Sequence, residues 1–376
     1  MKFIVERTNL LKSLAHVQSI VERRQTIPLL ANVLLETASR GEKSSLVMRA
    51  TDNEIEISEN IDVQILEEGK ITVSAHLLYD IVKKLPEGAQ VELFVDEATS
   101  QMQVVSGKSR FSLPTLSADG FPLMMPEESA KVFTLTTAEL QGMIERTQFA
   151  VSYEETRYNL NGIYFHEAVK EGKEALLKAV ATDGHRLACV EMPLPKGAQG
   201  MSGIIVPRKT IAEINKLAGE MMQDIQVSIT PNQIRFALGN AVLASRLIDG
   251  TYPDYERVIP TDNDKVLEVD AAELTRVVDR VAVVSEKTRA VKLHLKRGSV
   301  KVFASNTDEG SAEDEIEASY QCEPLEIGFN YRYMLDILAL IKSGKARFLL
   351  LDSSSPALIQ DVEDLSALYV LMPMRV

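Results

Sequence analysis

The chain is nearly without cysteine: Cys189 and Cys322 are the only two in 376 residues, and they lie far apart. That excludes a disulfide framework and a cysteine-rich zinc site, and it fits a reducing, cytoplasmic location. No run of about 18 apolar residues occurs, so no membrane span is expected. The opening Met1-Lys2-Phe3-Ile4-Val5-Glu6-Arg7 becomes charged too early for a secretory signal. The five histidines, His16, His76, His166, His185 and His294, are never two or three apart, so no zinc spacing appears and no metal is expected. The motifs G-x-G-x-x-G and G-x-S-x-G are missing as well. Gly107-Lys108-Ser109 looks like the end of a phosphate-binding loop. Position 102, where that loop needs its first glycine, is Met102, and the segment lies between strands. No cofactor and no enzyme are expected. Positive charge is also short: the net charge of −13 would make the body of the chain repel a nucleic acid.

What the chain does have is repetition. Lys2-Phe3-Ile4-Val5 precedes a helix pattern of Leu10, Leu11, Leu14, Val17 and Val21. The pattern returns as Lys131-Val132-Phe133-Thr134-Leu135 before Leu140, Met143, Ile144, Thr147 and Val151. It returns again as Lys265-Val266-Leu267-Glu268-Val269 before Leu274, Val277, Val278 and Val281. A second strand–helix unit recurs in step. Ile71-Thr72-Val73-Ser74, Ile204-Ile205-Val206-Pro207 and Leu325-Glu326-Ile327-Gly328-Phe329 each lead into an amphipathic stripe, followed by a helix-stopping glycine at Gly88, Gly219 or Gly344. A spacing of more than a hundred residues marks a copied domain, not a solenoid. Each copy should hold two helices and roughly eight antiparallel strands. The expected class is α+β: three similar domains, each two helices packed on antiparallel sheets. Proline-bearing stretches from Phe121 and from Val258 place the boundaries at 1–128, 129–261 and 262–376.

The six helices are expected over 8–24, 74–85, 136–152, 207–218, 270–285 and 330–345. These ranges hold fourteen basic and nine acidic side chains, a net of +5, which leaves −18 for the rest. Basic residues favour helix C-termini through the macrodipole. A mildly cationic helical face would also hold phosphates without reading sequence.

Thr182-Asp183-Gly184-His185-Arg186 is the one constellation resembling chemistry, because an aspartate two before a histidine could serve as an acid–base pair. Asp-Gly is also a strong turn signal. Ala50-Thr51-Asp52-Asn53 and Ser305-Asn306-Thr307-Asp308 stand at the matching places of the other copies, which favours a turn. A hydrolase using Asp183 and His185, and an acidic scaffold that never meets DNA, are the alternatives. The apolar chain end, Tyr369-Val370-Leu371-Met372-Pro373-Met374-Arg375-Val376, suits an adaptable binding surface.

Met1-Lys2-Phe3, Thr26-Ile27-Pro28-Leu29-Leu30, Ala181 through Ala188, Tyr252-Pro253-Asp254-Tyr255 and Met372-Pro373-Met374-Arg375, in this order along the whole chain, resemble the sliding-clamp family, the beta subunits of bacterial DNA polymerase III. The resemblance implies a DNA clamp fold, a head-to-tail homodimer closing into a six-domain ring, and helices lining the hole. Twelve helices at about 9–10 Å spacing make a circle of about 115 Å. Subtracting one helix diameter of about 10 Å leaves a bore of about 26 Å, enough for duplex DNA. The function implied is a non-catalytic processivity factor that encircles double-stranded DNA without sequence preference and tethers the replicative polymerase. Other implied partners are the polymerase III alpha subunit, the clamp loader, other polymerases and mismatch-repair proteins, all docking through short linear motifs.

By matching motif, the peptide pocket would be Leu160, Thr182, Gly184, His185, Arg186, Leu187, Pro253, Arg257, Val258, Val370, Met372, Pro373, Met374 and Arg375, with Arg186, Arg257 and Arg375 framing the rim. DNA contacts would fall on Arg24, His76, Arg157 and Tyr158. The sequence departs from relatives at His76, where some carry arginine, and at Glu154 and Asn159. The dimer seam would involve Phe111, Val283 and Val284.

Overall fold

A computed structural model describes residues 1–40, 43–96, 99–125, 130–169, 172–285, 287–306 and 310–375. The expected 128/129 boundary, Thr307-Asp308 of the third turn, and Val376 lie outside the described residues.

The first third of the chain runs β1 Lys2–Glu6, α1 Arg7–Val17, β2 Asn32–Arg40, β3 Lys43–Thr51, β4 Ile55–Asp62, β5 Gln64–Glu67, β6 Lys70–Ser74, α2 Ala75–Lys84, β7 Gln90–Asp96, β8 Gln101–Ser106 and β9 Ser109–Leu116. The second runs β10 Lys131–Leu135, α3 Thr137–Glu145, β11 Gly162–Ala168, β12 Leu176–Thr182, β13 Arg186–Pro193, β14 Ile204–Pro207, α4 Arg208–Met221, β15 Ile225–Ile229, β16 Gln233–Leu238 and β17 Ala241–Arg246. The third runs β18 Lys265–Asp270, α5 Ala271–Ala282, β19 Ala290–Lys296, β20 Ser299–Asn306, β21 Gly310–Glu317, β22 Ser319–Tyr320, β23 Leu325–Asn330, α6 Tyr331–Leu338, β24 Lys345–Leu350, β25 Ala357–Asp361 and β26 Ala367–Leu371. Two helices therefore recur in each third with nine, eight and nine strands among the described residues. The strand pairs are antiparallel throughout, as expected for the α+β class.

Local chemistry starts the helices. Thr136 and Glu139 form a reciprocal capping box at α3: the Thr136 N–H donates to Glu139 Oε2 (2.8 Å), and the Glu139 N–H donates to Thr136 Oγ1 (3.2 Å). Asp270 caps α5 by accepting from the Glu273 N–H, and Asn330 caps α6 by accepting from the Arg332 N–H.

The helix ends correct the expected ranges. Helix α4 runs through Gly219, which was expected to stop it, to Met221, whereas three helices end early: α1 stops at Val17, where 24 was expected, α3 at Glu145 and α6 at Leu338. In two of the three a hydroxyl ends the helix by taking a carbonyl of the last turn: Ser19 Oγ donates to the His16 carbonyl, and Thr147 Oγ1 to that of Met143. Ile20, Val21 and Val151 stay buried beyond these stops, which is why the apolar spacing continues past them. Arg23, Arg24, Arg146, Lys342 and Lys345 consequently lie outside helices. Within the observed bounds the helices hold ten basic and eight acidic residues. The expected +5 falls to +2, so the cationic excess belongs to the segments that follow helices.

The chain packs as two compact units. Unit 1 is Met1–Gln141, Pro195–Ala198 and Lys209–Leu247. Its sheet orders the strands β10-β15-β16-β17-β4-β3-β2-β6-β9-β8-β7-β1-β5. Strand β17 thus joins β4 of the preceding repeat, with Leu243 opposite Ile57. Phe3, Leu10, Leu14, Val33, Leu35 and Met48 fill the core.

Unit 2 is Gly142–Leu194, Gln199–Arg208 and Ile248–Val376. One sheet orders β14-β11-β12-β13-β26-β25-β24-β18-β22, and a second orders β21-β20-β19-β23. Here β26 joins β13 of the preceding repeat. Phe329, Phe348, Tyr320, Tyr369, Leu274 and Val278 are buried in it.

Candidate functional site

In unit 2 the β13–β26 seam gathers a buried apolar cluster. Leu187 on β13 stands opposite Val370 on β26, and Leu160 ends the 3-10 turn Glu155–Leu160 beside them. The three belong to one buried cluster with Val180, Cys189, Ile205, Tyr252, Tyr255 and Leu358. Tyr164 stacks on Tyr252 at 4.7 Å between ring centroids, and His166 Nε2 meets the Tyr255 hydroxyl at 2.9 Å. Burial pushes the Cys189 thiol up to about 11 and both Tyr252 and Tyr255 above the usual phenol range. None of these groups ionises at neutral pH, so their part of the cluster is uncharged.

The turn before β13 is structural. Asp183 Oδ1 accepts from the N–H groups of His185 (2.9 Å) and Arg186 (3.0 Å). Thr182 Oγ1 accepts from the Gly184 N–H and donates to the Arg186 carbonyl. Gly184 has φ +88°, and a Cβ there would stand 2.8 Å from Arg157 Nη1. Asp52 builds the same turn in unit 1, accepting from the Glu54 and Ile55 N–H groups at 2.9 Å. The other oxygen of Asp183 pairs with Arg186 Nε at 3.1 Å, and the His185 ring stacks on Tyr333. Asp183 and His185 therefore make no acid–base pair, which removes the hydrolase alternative.

Arg186 is more engaged than a rim residue. Its guanidinium contacts Asp183, Asp336 and the Phe149 carbonyl, and lies over the rings of Tyr333 (4.1 Å) and Phe149 (5.0 Å). Of the arginines expected at a rim, Arg257, whose side chain is 84% exposed and pairs with Asp254, and Arg375 face solvent. Pro253, Val258 and Met372 are exposed, while Thr182, Pro373 and Met374 are half-buried. The chain end is pinned by backbone: the Met372 N–H donates to the His185 carbonyl (2.9 Å) and the Met374 N–H to that of Gly328 (2.8 Å). Sequence reasoning missed Phe149, Tyr333 and Asp336 around Arg186, and no local motif marks them.

The other candidates are placed as follows. In unit 1, Arg24 is exposed beyond α1. His76 is half-buried, its Nε2 on the Val21 carbonyl at 2.9 Å, so it also ties down the segment after α1. Phe111 is half-buried on β9. In unit 2, Arg157 is exposed and pairs with Glu154 (3.2 Å), and Tyr158 is 57% exposed. Asn159 Nδ2 donates to the Thr251 carbonyl. Tyr153, a further exposed aromatic, carries the Arg208 guanidinium over its ring at 4.4 Å. Val283 is 73% exposed and Val284 half-buried in the 3-10 turn after α5.

Three α+β repeats joined by shared sheets define a clamp-type protein. Comparison places it more closely. Models of the DNA polymerase III beta subunit match in order: its N-terminal domain over residues 1–125, its central domain over 134–254 and its C-terminal domain over 256–375. The beta sliding clamp of Caulobacter vibrioides is 47% identical, and that of Escherichia coli K12 40% identical, each match covering all of both chains. The solved sliding clamp of Bartonella birtlesii bound to griselimycin superposes with a TM-score of 0.95 at 46% identity, covering both chains completely. A Caulobacter crescentus clamp gives 0.94 at 46%, with the same coverage. The chain belongs to the DNA polymerase III beta subunit family, the bacterial sliding clamps. Its function is that of a polymerase III processivity clamp, and it catalyses no reaction itself.

Proposed function

We propose that two copies of this chain close head to tail into a ring around duplex DNA, with domains 1–128, 129–261 and 262–376 repeated twice around it. One observation carries this reading. The last strand of the second repeat pairs with the first (β17 on β4), and the last strand of the third pairs with the second (β26 on β13). The counterparts left over are β9 and β21. Strand β21 ends its sheet, and Ser109–Pro114 of β9 pair only with β8. Joining β9 of one copy to β21 of another completes the series and removes both bare edges. If the β17–β4 register recurs, Arg110 meets Glu313 of the second copy and Phe111 sits at the centre of the seam. Val283 and Val284 flank it, since their turn packs on β21.

In this reading Arg24, His76, Arg157 and Tyr158 approach the DNA backbone. The weak positive charge of the helices suits sliding, because retention comes from enclosure rather than contact. The groove floored by Leu160, Leu187 and Val370 takes short peptide motifs by their apolar anchors. The polymerase III alpha subunit, the clamp loader, other polymerases and mismatch-repair proteins are the expected occupants, and the cytoplasm the expected location. Tethering raises local polymerase concentration without tight DNA binding.

The test is topological. Protein loaded on nicked circular DNA should stay through a high-salt wash and be lost after the circle is cut. Equal retention on both forms would count against enclosure.

A further inference from the structure

Within unit 1, one imidazole joins two repeats. His16, on the last turn of α1, is 1% exposed. Its Nδ1 lies 2.8 Å from Glu59 Oε2 on β4, and its Nε2 lies 2.7 Å from Glu220 Oε2 on α4. Carboxylates only accept, so both contacts are hydrogen bonds only when both ring nitrogens carry protons. Glu59 is held from its other side by Ser13 Oγ (2.7 Å) and Asn240 Nδ2 (3.2 Å). Glu220, by contrast, has a side chain that is 41% exposed.

The other repeats put a permanent cation at this place. Counting two residues on from Leu14, Ile144 and Val278 gives His16, Arg146 and Arg280. Arg146 pairs with Asp364 (3.1 Å) and Ser366, and Arg280 pairs with Asp314 (2.6 Å). The first repeat alone uses a group that titrates near neutrality.

We propose that His16 is a proton-operated latch, tying α1 and β4 of the first repeat to α4 of the second while protonated and releasing α4 when it loses its proton. A neutral imidazole donates one hydrogen bond. Glu59 is enclosed and keeps that bond, whereas Glu220 can turn to water, so the α1–α4 contact is the one that breaks. The charged groups against the ring are Glu59 from β4 and Glu220 from α4; Ser19 Oγ links the His16 main-chain carbonyl to Glu213 of α4, and Lys12 of α1 and Asp62 lie on the wall of an adjoining 600 Å³ cavity. Ser13 and Glu59 also line that cavity, which gives the proton a route to solvent. Burial pulls the imidazole down. The hydrogen bonds and charges of Glu59 and Glu220 outweigh it and hold the ring above its ordinary 6.5. Burial pushes Glu59 up, and the hydrogen bonds from His16, Ser13 and Asn240 together with the His16 charge bring it below its ordinary 4.5. The latch is therefore closed between the two titrations and opens as pH rises through that of His16.

The test uses the full chain labelled with 15N-histidine. Long-range nitrogen–proton spectra from pH 5.5 to 9.5 should show one histidine doubly protonated beyond the ordinary range, a signal absent from His16→Gln. Amide protection in the last turn of α4 should fall about tenfold as that signal titrates. In Glu220→Gln, on an exposed side chain outside the core, the titration should move down and the protection become independent of pH. His16 titrating at or below the ordinary value, or α4 protection that ignores its titration, would overturn the latch. The wild-type spectra decide this even if His16→Gln does not fold.

Discussion

Leu187 of β13 lies directly opposite Val370 of β26, so the buried apolar cluster that holds both is also the hydrogen-bonded seam between two repeats. On the proposed peptide-docking role, binding and architecture share these atoms, while the Met372 side chain, 41% exposed, stands outside the seam.

The two roles separate by substitution. Leu187→Ala should cost about 2–4 kcal/mol of stability, as expected for a buried leucine, and weaken binding of a polymerase tail peptide. Met372→Ala should weaken the peptide with a stability change below about 0.5 kcal/mol. Deleting residues 372–376 should abolish peptide binding and leave the dimer intact, although it removes the Met372 and Met374 backbone bonds. Denaturant unfolding, peptide titration and sedimentation read these outcomes. Unchanged peptide affinity after the deletion refutes the groove.

Phe111→Ala should weaken self-association at least about tenfold, the loss of roughly 1.4 kcal/mol typical of an interface anchor. Arg110→Glu should do the same by repulsion from the acidic run Glu313-Asp314-Glu315 of a second copy. Analytical ultracentrifugation across a dilution series measures both, and a dimer insensitive to either change would place the seam elsewhere.

Arg186→Lys should be far from neutral. Lysine keeps a charge but loses the planar fork and the stacking on Tyr333 and Phe149. About 2–3 kcal/mol should be lost, with Asp336 left short of a partner. A thermal melt within about 1 °C of the parent would show that the knot contributes little.

Acid sensitivity should trace in part to Asp361. This buried carboxylate accepts from the N–H groups of Lys342 (2.8 Å), Ser343 (2.9 Å) and Glu363 (2.9 Å). Burial would raise it, but these bonds hold it down at about 2, against an ordinary 3.8. A depressed carboxylate stabilises the fold above its unfolded value, and that contribution disappears as pH falls from about 4 towards 2. The amount is about 2 kcal/mol. Asp361→Asn should lower stability at pH 7 by a similar amount and flatten this part of the acid limb in urea unfolding. A parallel acid limb would exclude Asp361 as its source.

The sequence made some of this legible. The helix starts and the Asp183 turn are local decisions, made by caps, apolar spacing and an Asp-Gly pair, and they stand where the pattern put them. The helix ends did not. Ser19 and Thr147 stop α1 and α3 through hydroxyls, while buried residues continue the helical spacing beyond them. The surroundings of Arg186 were beyond reach for another reason: Asp336 is 150 residues away, and no periodicity in either segment refers to the other. The same holds for His16 and Glu220, 204 positions apart. Shared sheets are invisible for the same cause, since an edge strand reads identically whatever it joins.

Because β17 covers β4, the first repeat is finished by amino acids more than a hundred positions downstream. A fragment cut after residue 125 would carry β4 naked, a row of unmet amides and carbonyls running past Ile55 and Ile57. Expressed alone, such a piece would stick to its own kind, and the intact polypeptide must hold that strand unprotected until the ribosome has delivered Arg246.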